Sequence, residues 1–288
     1  MNQISQIKFG FFGSSRFSII VLDELKKTGL EPSFIVTTPD KPQGRKLKLT
    51  PNVVKSWAIT NNIRVYDFAK LDKPAVDSLA KENANAFIVA SYGKILPSSI
   101  IDLPTRKTLN IHPSLLPRYR GPSPLQQAML DDSKQTAVTI IRIDEQMDHG
   151  PIVAQKEITV NKWPTYEDFE EMMASEGARL LSETLPEWIA GTLTEKPQDH
   201  SAATYTKKFK KEDGLLDLDG DPYTNFRKIQ AFHEWPQAYF FIEHADRKIR
   251  VKITEATFAD GKLIIKKVVP EGSVEMSYDD FRKGYGFK

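Results

Sequence analysis

Short apolar runs alternate with stretches whose apolar positions recur every three or four residues through most of the first two thirds of the chain. Residues 7–13 (IKFGFFG) form the first run, which is apolar and closed by glycine and so predicts a buried strand. Residues 17–29 (FSIIVLDELKKTG) carry helical spacing and stop at Gly29, a natural C-cap. The same reading predicts strands over 32–38, 86–93, 108–112, 136–144 and 151–160, and helices over 52–62, 74–83, 122–132 and 165–192. In the helix at 52–62 the expected core contacts are Val53, Trp57 and Ile59, and Thr165 and Asp168 stand at capping-box spacing. Strands alternating with helices predict an α/β fold, a doubly wound and mostly parallel sheet.

Residues 195–214 break this rhythm, being polar with one weak apolar cluster, a linker by composition. Beyond them short alternating runs are punctuated by the turns ADRK, ADGK and PEGS, an antiparallel pattern that a small β-barrel would close. The expected organisation is an α/β catalytic domain over 1–190, a linker over 191–206 and a β domain over 207–288.

Composition narrows the classes. The 288 residues, 40% hydrophobic and 27% charged, suffice for two cored domains. The absence of cysteine excludes disulfides and thiolate metal sites. The N-terminal stretch lacks a basic segment followed by an apolar run, and no run approaches the ~20 apolar residues of a membrane span, so a cytoplasmic protein with no membrane partner is expected. A net charge of +2 is too small to argue for nucleic acid. Local clusters matter more. Residues 39–52 carry Lys41, Arg45, Lys46 and Lys48 against Asp40 alone, and residues 104–130 carry Arg106, Lys107, Arg118 and Arg120 with no acid. Each is either a solvated charge run or a phosphate-contacting loop; for Arg118 and Arg120 a structural role competes with RNA phosphate.

Asn110 and His112 occupy alternate positions of a strand that Pro113 ends, so their side chains share one face. They read either as a capped strand end or as a reactive pair at the strand's carboxyl rim, where ligands of open parallel sheets bind. Asp148, in DEQMDHGP, reads either as a plain turn residue or as the carboxylate that completes such a pair. An amide, an imidazole and a carboxylate without an activated serine or a cysteine suit group transfer with no covalent enzyme intermediate. Other signals are weak. GFFGSSRF lacks the dinucleotide-binding glycine pattern, His149, His200, His233 and His244 have no metal-ligand spacing, so no metal is predicted, and AFHEWPQAYFFIE reads as core packing rather than a base-stacking platform.

NIHPSLLPRYRGPSP and MDHGPIVAQ together resemble the signature of the folate-dependent formyltransferase superfamily. The likeness extends to IKFGFFGSSRFSIIVLDEL, to the basic loop PDKPQGRKLKLTP, to VASYGKILP, to the linker ATYTKKFKKEDG and to AFHEWPQAY and MSYDDFRKGY near the end. The basic loop and the second domain are similar to the branch that acts on transfer RNA. The resemblance implies a formyltransferase-type Rossmann-like domain followed by an OB-like barrel that contacts the same RNA. It implies transfer of the formyl group of 10-formyltetrahydrofolate to the α-amino group of initiator methionyl-tRNA, with no metal, by a protein expected to be a monomer. Carried over residue by residue, it makes Asn110, His112 and Asp148 the catalytic trio. The folate site falls to Tyr92, Gly93, Lys94, Ile95 and Leu96 and to Ser114, Leu115, Leu116 and Pro117, and transfer-RNA contacts fall to Lys41, Arg45, Lys46 and Lys48. The chain departs from the superfamily at Gly13-Ser14-Ser15, at Lys46 and Leu47, and at His149, which stands where a small or polar residue is usual. The competing functions are formylation of a small amine, a silent RNA- or folate-binding module, and a dehydrogenase, which would need the glycine fingerprint that is absent.

Overall fold

The computed structural model describes residues 7–43 and 47–286. In chain order the elements are β1 (Phe9–Phe12), α1 (Arg16–Lys27), β2 (Phe34–Val36), β3 (Lys41–Gln43), β4 (Lys48–Thr50), α2 (Val53–Thr60), β5 (Arg64–Tyr66), α3 (Lys73–Ala80), β6 (Ala86–Val89), α4 (Ser98–Ile101) and β7 (Thr108–His112). They continue with α5 (Pro124–Leu130), β8 (Gln135–Arg142), β9 (Ile152–Thr159), α6 (Tyr166–Ala190), α7 (Pro222–Ala231), β10 (Tyr239–His244), β11 (Arg247–Ala259), β12 (Lys262–Pro270), β13 (Met276–Ser277) and α8 (Tyr278–Tyr285). Two compact units interleave along the chain: of the described residues, 7–43, 47–122, 135–158 and 170–205 form one, and 123–134, 159–169 and 206–286 the other.

The first unit is built on a seven-stranded sheet in the order β5-β2-β1-β6-β7-β8-β9, parallel from β5 to β7, with β8 antiparallel to β7. Its central strands are apolar throughout because both faces are covered; every residue of β1, β2 and β6 is buried. Gly10 of β1 lies opposite Phe34, whose ring occupies the space a Cβ at Gly10 would need. Phe12, Phe34, Phe87 and Tyr92 then interlock edge to face, with Phe12 and Tyr92 5.5 Å apart at 89° and Phe34 and Phe87 5.9 Å apart at 88°. Ser18 ties the start of α1 to the end of β6, accepting from the Ser14 and Ser15 amides and donating to Ala90 O across 2.6 Å.

The helix expected over 52–62 forms, yet its core face differs from the expectation. Val54 and Ala58, four residues apart, are buried, whereas Val53 and Ile59 are largely exposed and Trp57 reaches sideways to Asp23 at 2.7 Å. The basic segment 39–52 holds a short hairpin of β3 and β4.

The second unit centres on a four-stranded antiparallel sheet in the order β10-β11-β12-β13, the antiparallel pattern expected of the C-terminal region, with Leu215 bridging to Tyr239 of β10. Phe240, Val251, Ile253, Val268, Ile229 and Phe281 form its core. Phe232, Tyr239 and Phe240 of the aromatic segment are buried, while Trp235 is exposed. Residues 123–134 and 159–169 stand with this sheet through polar ties. Asp132 accepts from Trp163 Nε1 at 2.6 Å and from the Tyr223 hydroxyl at 3.1 Å, and Arg227 donates to Leu130 O at 2.6 Å. Burial opposes ionisation of Asp132, but those donors and Lys134 hold its carboxyl below the usual range. Hydrophobic periodicity reads 122–132 as one more helix of the α/β series; only these long-range ties assign it to the later unit.

Candidate active site

β7 closes the parallel part of the sheet. Asn110 lies between Val89 of β6 and Ile141 of β8, and His112 is opposite Thr139. The period-two alternation puts both side chains on one face, Asn110 half-buried and His112 buried. After β8 the segment 143–151 carries Asp148 over that face. One carboxylate oxygen, Oδ1, lies 3.4 Å from Asn110 Nδ2 and 3.6 Å from His112 Nδ1; the other accepts from the Gly121 N–H at 2.8 Å.

His112 Nε2 lies 2.9 Å from Tyr119 O. A carbonyl can only accept, so Nε2 carries the hydrogen and Nδ1 becomes the edge turned toward Asp148. There the imidazole can accept a proton or, once protonated, donate one. An amide nitrogen and a ring nitrogen therefore both stand within 3.6 Å of one carboxylate oxygen, the groups that acid–base group transfer uses.

The turn bearing Asp148 is tightly built. Asp148 has φ +51°, in the left-handed region that Asp tolerates better than most residues, and a Cβ at Gly150 would collide with Arg142 O. His149 points away from the trio: its Nδ1 lies 2.7 Å from Asp144 Oδ2, and its ring stacks parallel on His200 with centroids 4.0 Å apart.

The other expected residues fall into distinct settings. Tyr92 and Leu96 are buried in the sheet's aromatic core, and burial pushes the Tyr92 phenol up to about 12. Gly93 is open, and Ile95 is 78% exposed, a large apolar side chain at the carboxyl rim of β6. Lys94 Nζ donates to Phe68 O and Ala69 O at 2.8 and 3.0 Å, and burial, helped by the charge of Lys41, holds it below the usual lysine range. Ser114 is buried, donating to Arg118 O at 2.8 Å; Leu116 is buried, and Leu115 and Pro117 are partly accessible. Lys41 and Lys48 are exposed on the β3–β4 hairpin, and Arg45 and Lys46 lie outside the described residues. A pocket of about 290 Å³ opens among Ser14, Thr38, Lys41, Asn52, Tyr92 and Gly93. Ser14 donates across it to Tyr92 O at 2.9 Å, while Arg16 is committed to Glu170 and Glu171 at 3.1 and 2.8 Å.

Three residues beside the trio lie within the same motif but are not read as site residues from the sequence. Tyr119 orients His112 through its carbonyl, Gly121 grips Asp148 through its N–H, and Arg120 between them is fully buried, donating to Gln198 and to the Tyr205 hydroxyl. Of the two roles open to Arg120, burial leaves the structural one; Arg118 remains exposed.

The sheet that carries these residues at its rim is that of a one-carbon transferase: the chain belongs to the formyl transferase family, whose model matches residues 7–185. Along its length it is similar to methionyl-tRNA formyltransferases. That of a Sulfurihydrogenibium species is 32% identical over 98% of both chains, and that of Thermotoga maritima is 37% identical over 83% of this chain and 77% of its own. Solved structures share the fold. The methionyl-tRNA formyltransferase of Clostridium thermocellum superposes with a TM-score of 0.63 at 16% identity, covering 92% of this chain and 99% of its own. An N-formyltransferase of Helicobacter canadensis, solved with folinic acid and dTDP-3-aminofucose, gives 0.64 at 19% identity over 88% and 89%.

Proposed function

We propose that this protein transfers the formyl group of 10-formyltetrahydrofolate to the α-amino group of initiator methionyl-tRNA, with Asn110, His112 and Asp148 as its catalytic residues. The observation that carries the reading is one carboxylate standing 3.4 Å from an amide nitrogen and 3.6 Å from an imidazole nitrogen at the rim of β7. The folate supplies the formyl group. As the amine adds to the formyl carbon, its oxygen gains negative charge, and Asn110 Nδ2 and protonated His112 Nδ1 donate to it. The amine must lose a proton and the folate nitrogen N10 must gain one; Asp148 takes the first and His112 returns the second. Tyr119 O fixes the ring orientation this exchange needs, because it occupies Nε2.

In this reading the folate lies against residues 92–96 and 114–117, where Ile95 offers apolar surface, and Lys41, Arg45, Lys46 and Lys48 meet phosphates of the acceptor end. The enzyme acts as a cytoplasmic monomer; among the described residues no helix is long and apolar enough to cross a membrane. The test is transfer of labelled formyl from 10-formyltetrahydrofolate to charged initiator tRNA by the purified chain, beside amino-sugar nucleotides and glycinamide ribonucleotide. Formylation of the tRNA alone is expected; formylation of a small amine in its place would overturn the assignment.

A further inference from the structure

Asp148 sits in a turn that is held from outside as well as from within. Its own backbone is left-handed, Gly150 has no room for a side chain, and the carbonyls of residues 148 and 150 both accept from a distant side chain. One side chain answers both. Gln198 Nε2 donates to Asp148 O at 2.9 Å and to Gly150 O at 2.7 Å, so its two amide hydrogens bracket His149. Gln198 is itself buried, in a segment that composition reads as a linker.

The orientation of that amide is dictated from its other end. Gln198 Oε1 accepts from Arg120 Nε at 3.2 Å and from Arg120 Nη2 at 2.7 Å. A guanidinium only donates and a carbonyl only accepts, so turning the amide over would oppose like groups at all four contacts. Arg120 Nη2 also lies 3.0 Å from His200 Nδ1, which must therefore accept, and His200 stacks on His149, whose Nδ1 lies against Asp144. The residue after Arg120 is Gly121, whose N–H grips the Asp148 carboxylate. Two neighbouring residues thus hold Asp148 from two directions, one through the carboxylate and one through Gln198 and the backbone.

We propose that Gln198, oriented by Arg120, is a positioning residue for Asp148, and that the segment around it belongs to the working site. The proposal rests on Asp148 taking part in formyl transfer. Without the two donors the turn relaxes, and the carboxylate loses its place relative to Asn110 and His112. A displacement of about 1 Å of a group engaged in the reaction lowers turnover by up to ~10²-fold, while substrate contacts made elsewhere are untouched.

Gln198→Glu keeps the volume and the acceptor toward Arg120 but sets an oxygen against both carbonyls; Gln198→Met keeps the volume with no buried charge. Both are expected to lower kcat about 10–100-fold with KM for methionyl-tRNA and for 10-formyltetrahydrofolate within about twofold. A residue that merely supports the fold would add its loss to any other; one acting through Asp148 would not. In the Asp148→Asn background either Gln198 substitution is therefore expected to cause no further loss of kcat. Wild-type kcat in both variants, or additive losses with Asp148→Asn, would overturn the proposal. Wild-type protein in the same assay separates this from failure of the functional reading: a silent wild type, or a fully active Asp148→Asn, sinks that reading instead.

Discussion

The Gly121 N–H donates to Asp148 Oδ2 across 2.8 Å, linking two residues 27 positions apart and leaving Oδ1 free to face Asn110 and His112. One oxygen anchors the carboxylate and the other is available for chemistry. The division is made by a backbone N–H, which of all substitutions at position 121 only proline removes.

Loss of any member of the trio should therefore cost rate far more than stability. A preorganised donor aimed at developing charge contributes ~3 kcal/mol to lowering a barrier. Asn110→Ala, His112→Ala and Asp148→Asn are each expected to reduce formyl transfer about 10²–10³-fold. Their thermal unfolding should show cooperative transitions, and near-normal turnover by any folded variant would remove that residue from the mechanism.

The anchoring turns should be sensitive to a single methyl group. Gly121 has φ +105° and Gly150 leaves no room for a Cβ before Arg142 O. Backbone held in such regions costs a non-glycine residue about 1–3 kcal/mol. Gly121→Ala should lower stability by roughly that amount in denaturant titrations, Gly150→Ala should lower it at least as much because its Cβ would collide with backbone, and turnover should fall in the variants that remain folded.

Glu82 makes acid stability predictable in sign. Burial opposes its ionisation, but the Tyr66 hydroxyl at 2.6 Å and Arg64 at 2.7 Å prevail and hold its carboxyl below the ordinary 4.5. A carboxylate depressed in the folded state stabilises fully above its unfolded value and loses that contribution as pH falls through its folded one. Glu82→Gln should melt earlier than wild type at pH 7, with the difference closing below about pH 4.5 as both are titrated. A constant difference down to pH 2 would contradict the assignment.

Tyr92 gives the alkaline counterpart. Its phenol is pushed from 10.0 to about 12 by burial, and its hydroxyl has no hydrogen-bond partner among the described residues. The folded state requires the neutral phenol, so stability is full below pH 10 and falls as pH rises toward 12. Tyr92→Phe removes an unpaired buried hydroxyl that costs about 1–3 kcal/mol. It should unfold no earlier than wild type at pH 7 and lose less stability at high pH. The KM for 10-formyltetrahydrofolate should stay within about twofold, because the Tyr92 phenol is buried in the aromatic core of the sheet.

Salt dependence tests the basic hairpin. If Lys41, Arg45, Lys46 and Lys48 meet phosphates, the affinity for charged tRNA falls steeply with salt. Each Lys→Ala or Arg→Ala change should then reduce the log–log slope by about 0.7–0.9. A flat salt response with wild-type affinity would assign the tRNA contacts elsewhere.

Much of this protein could be read before any contact was known. Alternating apolar runs announced the parallel sheet because strands covered on both faces must be apolar throughout, and β1, β2 and β6 are. Spacing put Asn110 and His112 on one face because side chains alternate along a strand. The helix at 53–60 was legible as a helix but not in its buried face: exposed Val53 and Ile59 are as apolar as buried Val54, so residue type could not separate them.

Local pattern by itself determined the apolar strands of the parallel sheet and the α/β class, and motif determined the family and named Asn110, His112 and Asp148 as the trio to test. Tertiary structure alone decided what joins them. Residues 123–134 look like one more helix of the α/β series, yet stand in the second unit through Asp132, Trp163, Tyr223 and Arg227. Residues 195–205 look like a linker, yet Gln198 is buried against the turn of Asp148. The physical reason is the same in both cases. Periodicity reports how a segment satisfies its own backbone and which face it buries, whereas a hydrogen bond between residues 50 or more positions apart depends on where the whole chain has carried its two ends.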